Sequence, residues 1–178
     1  MKTAIDWNKY LAYNPDTGIL TWRHRNESEF SRRADYLCWN KKFADKEAGS
    51  RCRNNRIYVQ FMGNSYLSYR VIWEMVHGSM PANMQIDHIN NVPWDNRLVN
   101  LRMVTQSQNQ WNRGANGGRP DEMKGIVHEK NSDTWVVQIK VNGKRIHIGR
   151  FSDLGAAKSA RAMASNTMHG EYSNINRP

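Results

Sequence analysis

Asn142-Gly143, set between two alternating runs, constrains this chain more than any other dipeptide in it. A type I′ turn needs positive φ at both central residues, and Asn-Gly tolerates that at little cost. Thr134-Trp135-Val136-Val137-Gln138-Ile139-Lys140-Val141 runs into the turn, and Lys144-Arg145-Ile146-His147-Ile148-Gly149 runs out of it. The pattern predicts an antiparallel hairpin. Gly125-Ile126-Val127-His128 predicts a third strand, and Ser152 predicts the cap of an Ala-rich helix from Asp153 to His169. Ala156, Ala157, Ala160 and Ala164 would let that helix lie close on the sheet. Three antiparallel strands and one helix complete a small α+β domain over residues 121–178.

Upstream of it, Gly114-Ala115-Asn116-Gly117-Gly118-Arg119-Pro120 predicts an exposed linker. The first stretch, residues 1–81, is expected to be β-rich. Asn14-Pro15-Asp16-Thr17-Gly18 is a turn signal before a short strand, Ile19-Leu20-Thr21-Trp22. Arg56 to Phe61 and Tyr66 to Ser68 predict a hairpin around Met62-Gly63-Asn64-Ser65. The apolar spacing of Ile72, Trp73, Met75 and Val76 predicts a helix over 69–77, closed by Gly78. Residues 26–48 show no clear period and receive no assignment. Between these ends, residues 82–113 predict strand, loop, strand and helix. Met84 to Ile89 is the first strand, Leu101 to Val104 the second, and Thr105 caps a helix from Gln106 to about Arg113.

The charge points to a polyanionic partner. Lys and Arg number 26 against 16 Asp and Glu, a formal net charge of +10. The N-terminal, central and C-terminal stretches are each net basic, as contact with nucleic acid along most of the chain requires. A solvated, generally basic surface is the other reading of the same excess. Cys38 and Cys52 form no CxxC pair, which argues against a zinc site or a disulfide framework. The opening MKTAIDWNKY is not an apolar leader, and no run approaches the roughly 20 apolar residues of a membrane span. A soluble, cytoplasmic protein is expected.

Hydrolysing a phosphodiester takes a divalent cation to neutralise developing charge and a base to activate water. Mg²⁺ prefers oxygen ligands and keeps several waters, so one carboxylate and one amide oxygen can suffice. Asp87-His88 at a strand end offers a carboxylate and an imidazole as neighbours, and Asn109 could return an amide oxygen from the following helix. Asn112, three residues on, shares nearly the same face. An Asp-His dipeptide alone is common.

The whole string is more specific. IDHIN at 86–90, DNRLVNLRMVT at 95–105 and SQNQWNR at 107–113 follow in order. In these segments the chain resembles the HNH endonucleases of phages and mobile introns, homing enzymes among them. The resemblance covers roughly Tyr69 to Arg113. It implies a ββα-metal core over 82–113, with His88 as general base and Asn100 pinning the loop and orienting His88. Asp87 and Asn109 would hold the metal, Mg²⁺ or Mn²⁺, in an H-N-N variant of the motif. Arg97 is expected at loop and phosphate, Arg102 at the scissile phosphate or in solvent, and Arg113 at the DNA. The other five histidines have no ligand spacing among themselves and receive no catalytic role.

The third stretch resembles the AP2 DNA-binding domain, also found fused to phage HNH enzymes. The matching segments are Lys124-Gly125-Ile126, Trp135 with Gln138-Ile139-Lys140, Asn142-Gly143-Lys144-Arg145, Ile148-Gly149-Arg150-Phe151, Ala156-Ala157, and Gly170 before Asn174. The resemblance implies a sheet in the major groove. Alternation sends Val137, Ile139, Val141, Ile146 and Ile148 toward the helix, and Gln138, Lys140, Arg145 and His147 toward DNA, with Val136.

The expected function is therefore metal-dependent endonucleolytic cleavage of double-stranded DNA, one strand per site, by a monomeric nickase in the host cytoplasm if phage-encoded. A non-catalytic, sequence-specific DNA-binding protein with a structural HNH fold is the alternative. RNA cleavage or binding has no supporting signature.

Overall fold

A computed structural model describes residues 5–114, 120 and 123–173. Of the linker expected over 114–120, only Gly114 and Pro120 lie among the described residues, and Asn174 lies outside them. The chain divides into two compact units, one of Met1–Ala82 with Val92–Arg102, the other of Asn83–Asn91 with Met103–Pro178.

The first unit begins with a single helical turn, α1 (Trp7–Tyr10), and a hairpin, β1 (Leu11–Asn14) with β2 (Ile19–Trp22). Asn14 Oδ1 accepts from the backbone of Asp16 and Thr17, and Gly18 closes the turn at φ 74°. The stretch that showed no period in the sequence holds α2 (Arg33–Phe43). None of its residues is fully buried, which is why no apolar stripe announces it. What anchors it is aromatic: Trp39 sits edge-on to Trp22 at 5.7 Å, and Phe30 lies 6.3 Å from Trp39. The Arg25 guanidinium packs over the Phe30 and Trp39 rings in the same cluster.

A three-stranded antiparallel sheet follows, in the order β3 (Ser50–Arg51), β4 (Ile57–Phe61), β5 (Asn64–Leu67). Met62 and Gly63 both take positive φ, as a two-residue hairpin turn demands. Helix α3 (Ser68–His77) buries Tyr69, Val71 and Ile72 and ends at Gly78, φ 79°. Trp7 donates from Nε1 to Glu74 at 2.9 Å, tying α1 to α3. Leu11, Leu20, Val59, Phe61 and Ile72 make the core. Each such side chain contributes about 1.5–3 kcal/mol by leaving water.

The second unit contains β6 (Met84–His88), the last three residues of β7 (Leu101–Thr105), and α4 (Gln106–Asn112). Strands β6 and β7 pair in a two-stranded sheet. Thr105 caps α4 as expected and does so reciprocally. Its hydroxyl accepts from Gln108 N at 3.3 Å, and Gln108 Oε1 accepts from Thr105 N at 2.8 Å.

Further along come β8 (Ile126–Glu129), β9 (Thr134–Val141), β10 (Lys144–Phe151) and α5 (Leu154–His169). Strand β9 lies centrally in an antiparallel sheet, and Asn142 and Gly143 carry φ of 47° and 81°. The α5 cap is Asp153, whose carboxylate accepts from Ala156 N at 2.7 Å, rather than Ser152. A carboxylate one residue nearer the helix reaches the orphan amide that a hydroxyl at 152 does not. A bulge between His147 and Gly149 shifts the register and leaves Ile148 to pack on Ile126, Val137 and Ala157. Ile146, expected beneath the helix, is 38% exposed. Its cross-strand partner is Ile139, close to the turn.

Mixed α/β architecture with several small antiparallel sheets was legible in the sequence. No helix among the described residues is long and apolar enough to cross a membrane.

Candidate active site

Strand β6 ends in Asp87 and His88, 6% and 9% exposed. A carboxylate and an imidazole this buried demand specific partners, because burial of an unpaired charge is costly. Helix α4 supplies one. Asn112, only 1% exposed, donates from Nδ2 to Asp87 Oδ2 at 2.9 Å and to the His88 carbonyl at 2.9 Å. Asn91, in the turn after β6 at φ 56°, donates from Nδ2 to the Asn112 carbonyl at 2.9 Å. Its own amide donates to the His88 carbonyl at 3.0 Å. Strand end, turn and helix end are thus lashed together by backbone and amide groups.

The helix presents its asparagines in order along the strand. Asn109 Nδ2 reaches Gln85 Oε1 at 2.7 Å, and Asn112 reaches Asp87. Residues three apart on a helix share a face, as do residues two apart on a strand. The structure therefore brings Asn112 to Asp87 and places Asn109 one step back, on Gln85. Asn112 appeared in the sequence only as a rival to Asn109. What distinguishes the two is which strand residue each meets, Gln85 for Asn109 and Asp87 for Asn112, and residue types do not encode that register.

The loop from 92 to 102 belongs to the first unit. Asn100, 6% exposed, donates from Nδ2 to the Asp95 carbonyl at 2.8 Å, a bond within the loop. Arg97 grips Asp95 through two bonds, from Nε at 2.7 Å and Nη2 at 2.6 Å. That hydrogen bond, and then the carboxylate's charge, raises the pKa of the Arg97 guanidinium.

Two supports of this loop escaped the sequence reading. The Tyr13 hydroxyl donates to the Asn96 carbonyl at 3.1 Å and accepts from Leu98 N at 3.0 Å. Burial pushes the Tyr13 phenol pKa up. Gly18 lies so close that a Cβ there would stand 2.6 Å from Arg97 N. The N-terminal hairpin is the cradle of the loop. Only a turn signal marked it in the sequence, and nothing there said what the turn would touch.

Of the other sequence candidates, Arg113, Lys140, Arg145 and His147 are exposed, whereas Arg102 and Gln138 are half-buried. Register pairs Arg145 with Lys140 and His147 with Gln138, so the four share one face of the sheet. The described residues hold no cluster of three or more His, Cys, Asp or Glu that suits a metal. The fit of a hard divalent cation rests instead on Asp87 with a buried carboxamide 2.9 Å away. Mg²⁺ or Mn²⁺ takes oxygen, which Asp87 offers as carboxylate and the Asn112 amide carries as Oδ1 beside the Nδ2 that meets Asp87. The donor set is compatible.

Residues 66–111 match the family model described as HNH endonuclease, and they form an HNH endonuclease domain. Protein 3.8 of Escherichia phage T7 is 28% identical over 101 residues, which is 57% of this chain and 83% of that protein. No solved structure gives a significant match.

Proposed function

From an HNH endonuclease domain over residues 66–111, we propose that this protein is a metal-dependent endonuclease that hydrolyses phosphodiesters in double-stranded DNA, one strand per site. The observation that carries the proposal is the buried Asp87–Asn112 contact beside His88 at the end of β6. Asp87 and Asn112 would hold Mg²⁺ or Mn²⁺, which would supply positive charge for the phosphate and the leaving oxygen. His88 accepts a proton from the attacking water. The water oxygen forms a bond to phosphorus, one ester P–O bond breaks, and the leaving oxygen takes up a proton. Asn100 acts through the loop that it pins, as a positioning residue. Arg97, Arg102 and Arg113 contact backbone phosphates.

The β8–β9–β10 sheet with α5 is an AP2-like reader in this proposal. Gln138, Lys140, Arg145 and His147 form its DNA face, and the chain works as a monomer in the cytoplasm of a phage-infected host. The segments 1–81, 82–113 and 121–178 serve as scaffold, cutter and reader.

The test is nicking of supercoiled plasmid. With Mg²⁺, the wild type converts it to the open circle, and His88→Ala loses roughly 10²-fold or more in rate. Chelation stops the reaction and added Mg²⁺ or Mn²⁺ restores it. Asn112→Ala falls as far as His88→Ala, while Asn109→Ala retains most activity. Equal loss in both asparagine variants would return the metal site to Asn109 or to both. Wild-type protein that binds DNA but nicks none would establish the alternative, a DNA-binding protein with a structural HNH fold.

A further inference from the structure

A cavity of about 970 Å³ opens at the edge of β9, where β8 has not yet begun. Its wall is formed by the C-terminal end of α4, the segment leading into β8, the open half of β9 and the underside of α5. Arg113, Lys124, Lys140, Arg145 and Arg161 all line it, and none of the described lining residues is Asp or Glu.

Arg161 is the unusual member. It belongs to the stripe Ala157, Arg161, Ser165, His169 by which α5 packs on the sheet, and it is 3% exposed. A guanidinium has five N–H donors and stays charged at any ordinary pH. Arg161 Nε donates to the Lys124 carbonyl at 2.8 Å, while Nη1 is buried with no hydrogen-bond partner. No acidic side chain pairs with it among the described residues. Burial lowers its pKa. A buried cation without its counter-charge is costly, and proteins hold such a group where an anion completes it.

We propose that this cavity is a backbone-phosphate subsite for the DNA substrate, with Arg161 as its buried anchor and Lys140 and Arg145 at its mouth. The proposal rests on the DNA-cleavage reading above and deepens it by naming where one phosphate seats. A phosphate oxygen in the cavity provides Nη1 with the acceptor it lacks. The mouth cations draw the strand in, and no acid among the described lining residues opposes them.

The experiment uses the full chain as His88→Ala, so that bound DNA stays intact. Arginine side-chain Nε–H resonances of ¹⁵N-labelled protein are followed during titration with inorganic phosphate and, separately, with a short duplex. The Arg161 signal is assigned by its loss in Arg161→Lys, or in Arg161→Gln if the lysine variant does not fold. The expected result is a saturable shift of that signal with both probes, absent with chloride at equal ionic strength. Arg161→Gln should also lower the slope of log affinity against log salt by about one. A duplex that shifts the Gln138 and Arg145 side chains while Arg161 stays still overturns the subsite and leaves DNA binding standing. A duplex that shifts nothing overturns the DNA reading, and the phosphate titration then decides the anion site by itself.

Discussion

At the scale of single residues, the candidate site is a matter of which amide meets which carboxylate. Asn112 serves Asp87 and the His88 carbonyl at once, from a position 1% exposed. Removing it leaves a buried carboxylate and a carbonyl each short of a donor. Asn112→Ala should therefore cost about 1–3 kcal/mol in urea unfolding, more than Asn109→Ala at its half-buried position. Equal costs would mean that the Asp87 contact has no energetic weight. Tyr13→Phe offers a second case: the hydroxyl satisfies the Asn96 carbonyl and the Leu98 amide together. Its loss should cost about 1–3 kcal/mol and, on the proposed function, slow nicking by loosening the loop. Asp87 and His88 stand out in the sequence because their dipeptide sits inside a longer string. Tyr13 does not, because a tyrosine in a short strand looks the same whether its hydroxyl meets water or a loop 83 residues away.

Elements show the same division between what is local and what is not. The Asn142-Gly143 hairpin, the Thr105 cap and the Gly78 terminus are set by local backbone chemistry, and all three are where the residues alone put them. Helix α2 is held by ring contacts to distant aromatics, so its period carries no signal. Helix α5 reads as a plain Ala-rich element, yet its buried stripe holds Arg161, Ser165 and His169. His169 stacks on Trp111 at 4.5 Å and hydrogen-bonds the Lys140 carbonyl through Nε2 at 3.0 Å. Burial lowers its pKa, the carbonyl bond works the other way, and the Arg161 and Lys124 charges lower it further. The unfolded imidazole, with its ordinary value near 6.5, then binds a proton more readily than the folded one. The resulting stability is complete above about pH 6.5 and is lost as pH falls toward the lowered folded value. Melting temperature should drop between about pH 7 and pH 5, and His169→Phe should flatten that dependence while keeping the stack. An unchanged profile would show that His169 does not titrate on unfolding.

For the molecule as a whole, the sequence suggests modules in series, whereas the compact units take their residues from non-adjacent stretches. The second unit joins the site-bearing strand β6 and helix α4 to the C-terminal sheet. Lys124 Nζ donates to the carbonyls of Gln110 and Trp111, each at 2.9 Å, and to that of Arg113. These are the orphan acceptors at the end of α4, and a cation is suited to them. A chain truncated after residue 113 loses that cap and the His169 stack on Trp111 together. It should lose α4 and all nicking activity, rather than keep cutting with weaker affinity. Limited proteolysis within 106–113 and plasmid nicking measure the two effects, and a truncated chain that still nicks would refute it. Composition has no means of showing such a join, because the lysine that makes it lies beyond a stretch rich in glycine.

That lysine has a consequence for any map of cleavage sites. With the end of α4 clamped to the segment entering β8, the proposed cutting site and the proposed DNA face of β9 and β10 would keep one separation. On the proposed function, the protein's cuts should fall at a constant number of base pairs from the sequence it prefers. Lengthening the glycine-rich stretch leaves that offset in place, whereas Lys124→Ala lets it spread.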